Sequence, residues 1–127
     1  MIIYTTGWTY ADPLIGAAIG LFILPRTWKL TGQALRILME SAPPGLNVDE
    51  VKARMLALPG VAGVHDLHIW TVTSGMESAT GHIVVAKDAD YHDVLDRVVT
   101  LLADDYHVTH ATIQCEPDHH RERPTPI

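Results

Sequence analysis

The run Val61–Lys87, VAGVHDLHIWTVTSGMESATGHIVVAK, decides the fold. It is rich in β-branched and aromatic residues on either side of Ser74-Gly75, which reads as two strands joined in a hairpin. Before it stands NVDEVKARMLALPG, where Asn47 caps a helix and Glu50 falls three residues later, as in a capping box. Val48, Val51, Met55 and Leu58 recur at helical spacing, and Pro59-Gly60 ends the element. After the hairpin, Asp90 precedes YHDVLDRVVTLLADDY. Val94, Leu95, Val98, Leu101 and Leu102 share one face of that helix, and Asp93 with Arg97 is an i,i+4 pair. HVTHATIQCEP then supplies a last β-branched run that stops at Pro117.

The order helix, strand, strand, helix, strand places both helices on one face of a small sheet, an α+β sandwich of the ferredoxin-like α-β-β-α-β type. A unit of this size buries only about 60% of its unfolded surface, so dimerisation across the open sheet face is a useful supplement. Trp70 supports that use. It shares a strand face with His68 and Val72, opposite to Leu67 and Ile69, so one set faces the helices and the other a partner.

Upstream, GWTYADPLIGAAIGLFILPRTW (Gly7–Trp28) is the one strongly apolar region. Leu14 to Leu24 is too short alone to cross a bilayer, but Trp8, Tyr10 and Trp28 bracket a stretch of about 20 residues, roughly 30 Å as a helix. Aromatic residues at both ends suit the two membrane interfaces. Arg26, Lys29 and Arg36 follow, whereas Met1 to Leu24 has no basic residue, so the C-terminal side is expected in the cytoplasm. A signal peptide would need a basic n-region and a small-residue cleavage site, and neither is found. Asp12 and Pro13 suit the first turn of a helix. KLTGQALRILMESAPPG reads as that helix continuing, stopped by Pro43-Pro44-Gly45.

The net charge of −6 argues against nucleic acid as a partner. A single cysteine, Cys115, excludes an internal disulfide framework. No nucleophile with a base and an orienting partner, no glycine-rich phosphate loop and no C-x-x-C pair can be read, so an enzyme is not expected. The eight histidines all fall after Gly60, which is where metal chemistry would be sought. His65 and His68, three apart, lie on opposite faces of a regular strand. His65, His82, His110 and Glu116 are a more interesting set, since imidazole and carboxylate are good zinc ligands. A plain hairpin turning at Ser74-Gly75 sets His82 opposite Leu67, with His65 on a diagonal of roughly 7–8 Å. His110 and Glu116 are six apart, roughly 20 Å on a straight strand, and cannot share an ion without a bend. Spacing alone favours reading each histidine as a surface or satisfied polar residue, His92 and His107 most of all. His119-His120 is at most a weak chelator in a polar tail, and Cys115 reads as a small buried residue.

The combination of GWTYADP, LMESAP, GVAGVHDLHIWTVTSG and HATIQCEP resembles the cation diffusion facilitator (cation efflux) family, near its bacterial zinc and cadmium efflux branch, from about Tyr4 to Pro117. The resemblance implies six transmembrane helices, a cytoplasmic ferredoxin-like domain, and a homodimer that exchanges divalent metal for protons at the inner membrane. On that pattern residues 1–42 are the end of the fifth span, a periplasmic turn, the sixth span through the membrane at residues 10–30, and a connecting helix. Residues 43–117 are the metal-binding and dimerisation domain, and 118–127 a polar tail. His65, His82 and Glu116 match metal ligands for zinc or another divalent transition metal, and His110 is a weaker match. Glu40 matches an acidic position at the dimer interface, which Trp70 is also expected to join. Gln114 stands where some members have a histidine. The family's transport ligands lie on its second and fifth spans, of which only Met1 to Thr6 has a counterpart here. The chain alone is therefore expected to sense zinc and dimerise, or to pair with a full-length relative, rather than to move ions. The alternative is a metal-independent interaction module of the same fold.

Overall fold

The computed structural model describes residues 10–118. The chain falls into two compact units, Met1–Leu38 and Met39–Ile127. In the first, α1 (Ala11–Leu38) is one continuous helix through Pro25, with Asp12 in its first turn and Arg36 in its last. Among the described residues it is the one helix long and apolar enough to cross a membrane. Leu14, Ile15, Ile19, Phe22 and Leu24 along it are exposed. Pro25 costs the helix one backbone hydrogen bond, a loss that neighbouring helices and local adjustment make tolerable in spanning helices.

The second unit has the expected order: α2 (Val48–Leu56), β1 (Val61–Thr73), β2 (Met76–Val85), α3 (Tyr91–Tyr106) and β3 (His110–Pro117). The sheet runs β1-β2-β3, with β1 antiparallel to β2 and β3 parallel to β2. A parallel neighbour needs a crossover, and α3 is that connection. Both helices are capped from the sequence side. Asn47 Oδ1 accepts from the N–H groups of Asp49 and Glu50, and Asp90 Oδ1 from those of His92 and Asp93. Those two N–H groups hold the Asp90 carboxyl below its ordinary range.

The core is the meeting of the two apolar stripes with one sheet face. Val51 and Met55 of α2 and Val94, Val98 and Leu102 of α3 are buried against Val64, Ile69, Ala79, Ile83 and Val85. The helix members belong to the stripes read in the sequence and Ile69 to the strand face expected to meet the helices, whereas Val64 joins them only through an irregularity in β1, and Val108 is buried by the α3–β3 connection. Arg54 of α2 pairs with Asp105 of α3 and lies over the Tyr106 ring, 5.6 Å from its centroid. The α2–β1 turn is tied to α3 by Arg97, which donates to the Pro59 carbonyl at 3.1 Å and pairs with Asp93 at 3.9 Å. Gly60 there has φ +87, and a Cβ would stand 2.7 Å from Val94 Cγ2. Only glycine fits that turn.

Among the described residues of this unit, no helix covers the other sheet face. Trp70, Ser78 and His110 form one row across it, and His68, Thr80 and Thr112 the next.

Candidate metal centre

The site is made by a fault in β1. Register between β1 and β2 shifts at three places, and the shift between His65 and His68 sets Asp66 and Leu67 against Gly81 alone. That is the two-against-one count of a β-bulge. Asp66 takes φ 48, a left-handed value that Asp tolerates better than most residues. Gly81 admits the crowded strand: a Cβ on it would lie 3.2 Å from Leu67 Cδ1. With this shift and the one near the hairpin turn, His82 pairs with His65 and not with Leu67. The expected diagonal is therefore a direct cross-strand pair, with ring centroids 5.0 Å apart. The bulge also moves His65 onto the face of His68, since their partners His82 and Thr80 are two apart on β2. The expectation that these two histidines lie on opposite faces fails for that reason.

β3 adds the carboxylate. Gln114 pairs with His82, and Glu116, two residues on, pairs with Val84. Glu116 is 5% exposed, the one charged side chain buried among the described residues. Its Oε1 accepts from His82 Nδ1 at 2.6 Å and from Gln114 Nε2 at 2.9 Å. Its Oε2 lies 3.4 Å from His65 Nε2, and Asp66 Oδ2 is 3.6 Å from His65 Nδ1. A buried carboxylate is costly unless charged or polar partners surround it, and here imidazoles and an amide do so.

Three of the four sequence-selected donors thus converge. Nitrogen and oxygen atoms of His65, His82 and Glu116 lie within 4.8 Å of one another, the one such trio among the described residues. His110 stands at the far end of β3, exposed, beside Thr109 Oγ1 at 3.2 Å, and its carbonyl accepts from Ser78 Oγ. The strand carries no bend to bring it to Glu116. Cys115 points to the helix side and packs against the core, where burial pushes its thiol up. Trp70 is half-buried on the open face, and Glu40 is exposed with φ 49 in the turn after α1. The GWTYADP segment up to Thr9 and His119-His120 lie outside the described residues. Sequence reasoning missed Gln114 as a partner of the carboxylate. Its place two residues before Glu116, on the same strand face, was the available signal.

The donor set fits a zinc-like ion. Zinc bonds of about 2.0–2.1 Å in a tetrahedron put neighbouring donors about 3.3–3.4 Å apart. The separation of His65 Nε2 from Glu116 Oε2, 3.4 Å, already has that value, while His82 Nδ1, hydrogen-bonded to Oε1 at 2.6 Å, would have to give up that bond to coordinate.

The cytoplasmic-domain model of the cation efflux proteins matches residues 43–118, most of the second unit. The chain belongs to the cation efflux family. It is 44% identical over 118 residues to the metal cation efflux system protein CzcD of Cupriavidus metallidurans, covering 91% of this chain and 37% of that one. The zinc transporter ZitB of Escherichia coli is 38% identical over 117 residues, with the same coverage. The cadmium, cobalt and zinc/H(+)-K(+) antiporter of Bacillus subtilis is 30% identical over 123 residues, 94% of this chain and 39% of that one. The chain thus spans less than two fifths of these relatives. Among solved structures, the metal-bound C-terminal domain of CzcD aligns with TM-score 0.53 and 43% identity, over 56% of this chain and 99% of the other. A zinc form of CzrB aligns with TM-score 0.51 and 25% identity, over 65% and 97%.

Proposed function

We propose that this chain serves divalent metal efflux, with zinc or cadmium as cargo, as a unit that senses zinc in the cytoplasm and dimerises. The observation that carries the reading is the His65–His82–Glu116 trio, one ligand from each of the three strands. Zinc held there joins β1, β2 and β3 at one end of the sheet. His65 and His82 must offer unprotonated nitrogens, and Glu116 supplies charge to offset the ion's. The bound ion would lie on the open face, beside the rows that carry His68 and Trp70. A second copy covering that face would bury them, so metal loading and dimerisation favour each other. α1 is the membrane anchor, at the inner membrane, with Arg26, Lys29 and Arg36 on the cytoplasmic side. In the intact efflux protein, metal/proton antiport would be the work of further spans, and a full-length relative is a candidate partner.

Zinc titration of the full chain in detergent, by calorimetry and by thermal unfolding, is the test. Tight binding with a rise in unfolding temperature is expected. Ion at 100 times its Kd adds about 2.7 kcal/mol. His65→Ala, His82→Ala and Glu116→Ala should each remove most of that gain. Absence of binding, or binding unmoved by all three variants, refutes the metal role. A dimer that persists in chelator and in these variants instead favours the metal-independent interaction module.

A further inference from the structure

The metal reading leaves one polar side chain at the site without a role. Gln114 is exposed, pairs across the strands with His82, and sends its amide to the buried carboxylate at 2.9 Å. A carboxylate only accepts, so the amide must present its NH2 and turn its oxygen away. Glu116 Oε1 thus accepts from both His82 Nδ1 and Gln114 Nε2. The two differ in what an arriving ion does to them. His82 is itself a donor to the ion, so its bond to Glu116 competes with coordination. Gln114 donates through an amide nitrogen, which is not a ligand for zinc, so its bond persists.

We propose that Gln114 is a positioning residue for the metal site, resting on the metal-site reading above. It holds Oε1 of Glu116 by a hydrogen bond that survives loading. It thereby presents Oε2, the oxygen on the His65 side, to the ion as a single donor. Glu116 would then supply one oxygen beside the nitrogens of His65 and His82, three protein donors that leave the fourth position of a tetrahedral ion to water. Loss of Gln114 removes one restraint on Oε1, so the carboxylate turns more readily to bind through both oxygens, which would take a site with three protein donors and a water beyond four-coordination and weaken it. Outer partners that orient a ligand in this way are worth about 10–100-fold in metal affinity.

The test uses the full chain in detergent with zinc and with cobalt(II), whose visible absorption is intense when four-coordinate and weak at higher coordination number. Gln114→Leu removes the donor and Gln114→Arg keeps a donor that cannot coordinate. Gln114→Leu should lower the unfolding midpoint in chelator modestly, because the buried carboxylate loses a donor, and, beyond that loss, weaken zinc binding about 10–100-fold and dim the cobalt bands. Gln114→Arg at saturating cobalt should retain the wild-type bands. A Gln114→Leu protein with wild-type affinity and spectrum overturns the proposal while leaving the metal site standing. So does a failure of Gln114→Arg to keep the spectrum alongside a loss in Gln114→Leu as deep as in His82→Ala, because Gln114 would then be a ligand. If wild type itself binds neither ion, the metal-site reading fails and this inference falls with it.

Discussion

Replacing Asp66 with valine tests the device that builds the site. Asp66 sits at φ 48 inside a strand, and a left-handed residue with a Cβ costs about 1–2 kcal/mol. Aspartate softens that cost through its short polar side chain, whereas a β-branched residue carries it in full. The variant has two ways out. It can keep the bulge and bear the strain, or straighten the strand and move His65 to the helix face. Straightening drives Val64, 6% exposed, out of the core, at about 1.5–3 kcal/mol for the lost burial alone. It also puts an imidazole among apolar side chains, at about 1–3 kcal/mol more. Strain is the smaller cost, so the bulge should stay. In chelator, Asp66→Val is expected to lose about 1–2 kcal/mol, a drop of very roughly 4–16 °C for a unit of this size. Zinc affinity should change little once stability is corrected for. Asp66→Asn separates conformation from charge: it tolerates the left-handed region and should stay near wild type, since the exposed Asp66–His65 contact is weak. The assay is thermal and urea unfolding of residues 39–127, with zinc binding measured on the same samples. An Asp66→Val protein as stable as wild type that has lost zinc binding would show a straightened strand and refute the reasoning.

Two further outcomes follow from the loops and caps. Gly60→Ala combines a left-handed turn with a Cβ 2.7 Å from Val94 Cγ2, so it should cost about 2–4 kcal/mol in urea unfolding. Gly45→Ala, with the same φ but open space around it, should cost only the backbone part, about 1–2 kcal/mol; equal losses would mean the Val94 contact relaxes freely. Asp90 has a lowered pKa because the N–H groups of Asp93 and His92 bond its carboxylate. Its stabilisation is therefore present above the ordinary value of 3.8 and disappears as pH falls through the lowered folded value. Asp90→Asn keeps the cap but not the titration, so the stability difference between the two proteins should be constant above that window and change only within it; a difference that persists unchanged from pH 7 to pH 2 would contradict it.

The helices, the hairpin and most of the core were legible because each rests on a local rule. Asn47 and Asp90 cap, Pro59-Gly60 stops, and the stripes Val51–Met55 and Val94–Val98–Leu102 have the helical period. The site was legible in its residue types and illegible in its geometry. A regular hairpin put His82 opposite Leu67, and only the bulge puts it opposite His65. The two signs of that bulge were an aspartate, a residue depleted in strands, and a buried glycine facing it across the hairpin. Neither carries direction by itself. Whether the extra residue enters β1 or β2 depends on which choice keeps Val64 and Ile69 both inside, and that is decided by the packing of α2 and α3 against the sheet. Glu116 had the opposite difficulty. Its distance from His110 along β3 was readable, but its neighbour on β2 was not, because a parallel register is set by the crossover helix and not by a turn. The trio therefore depends on two registers with separate causes: Asp66 and Gly81 align the histidines, and α3 aligns the carboxylate. On the proposed metal reading, an ion at His65, His82 and Glu116 would report on both registers, and so on the whole sheet more directly than on either helix.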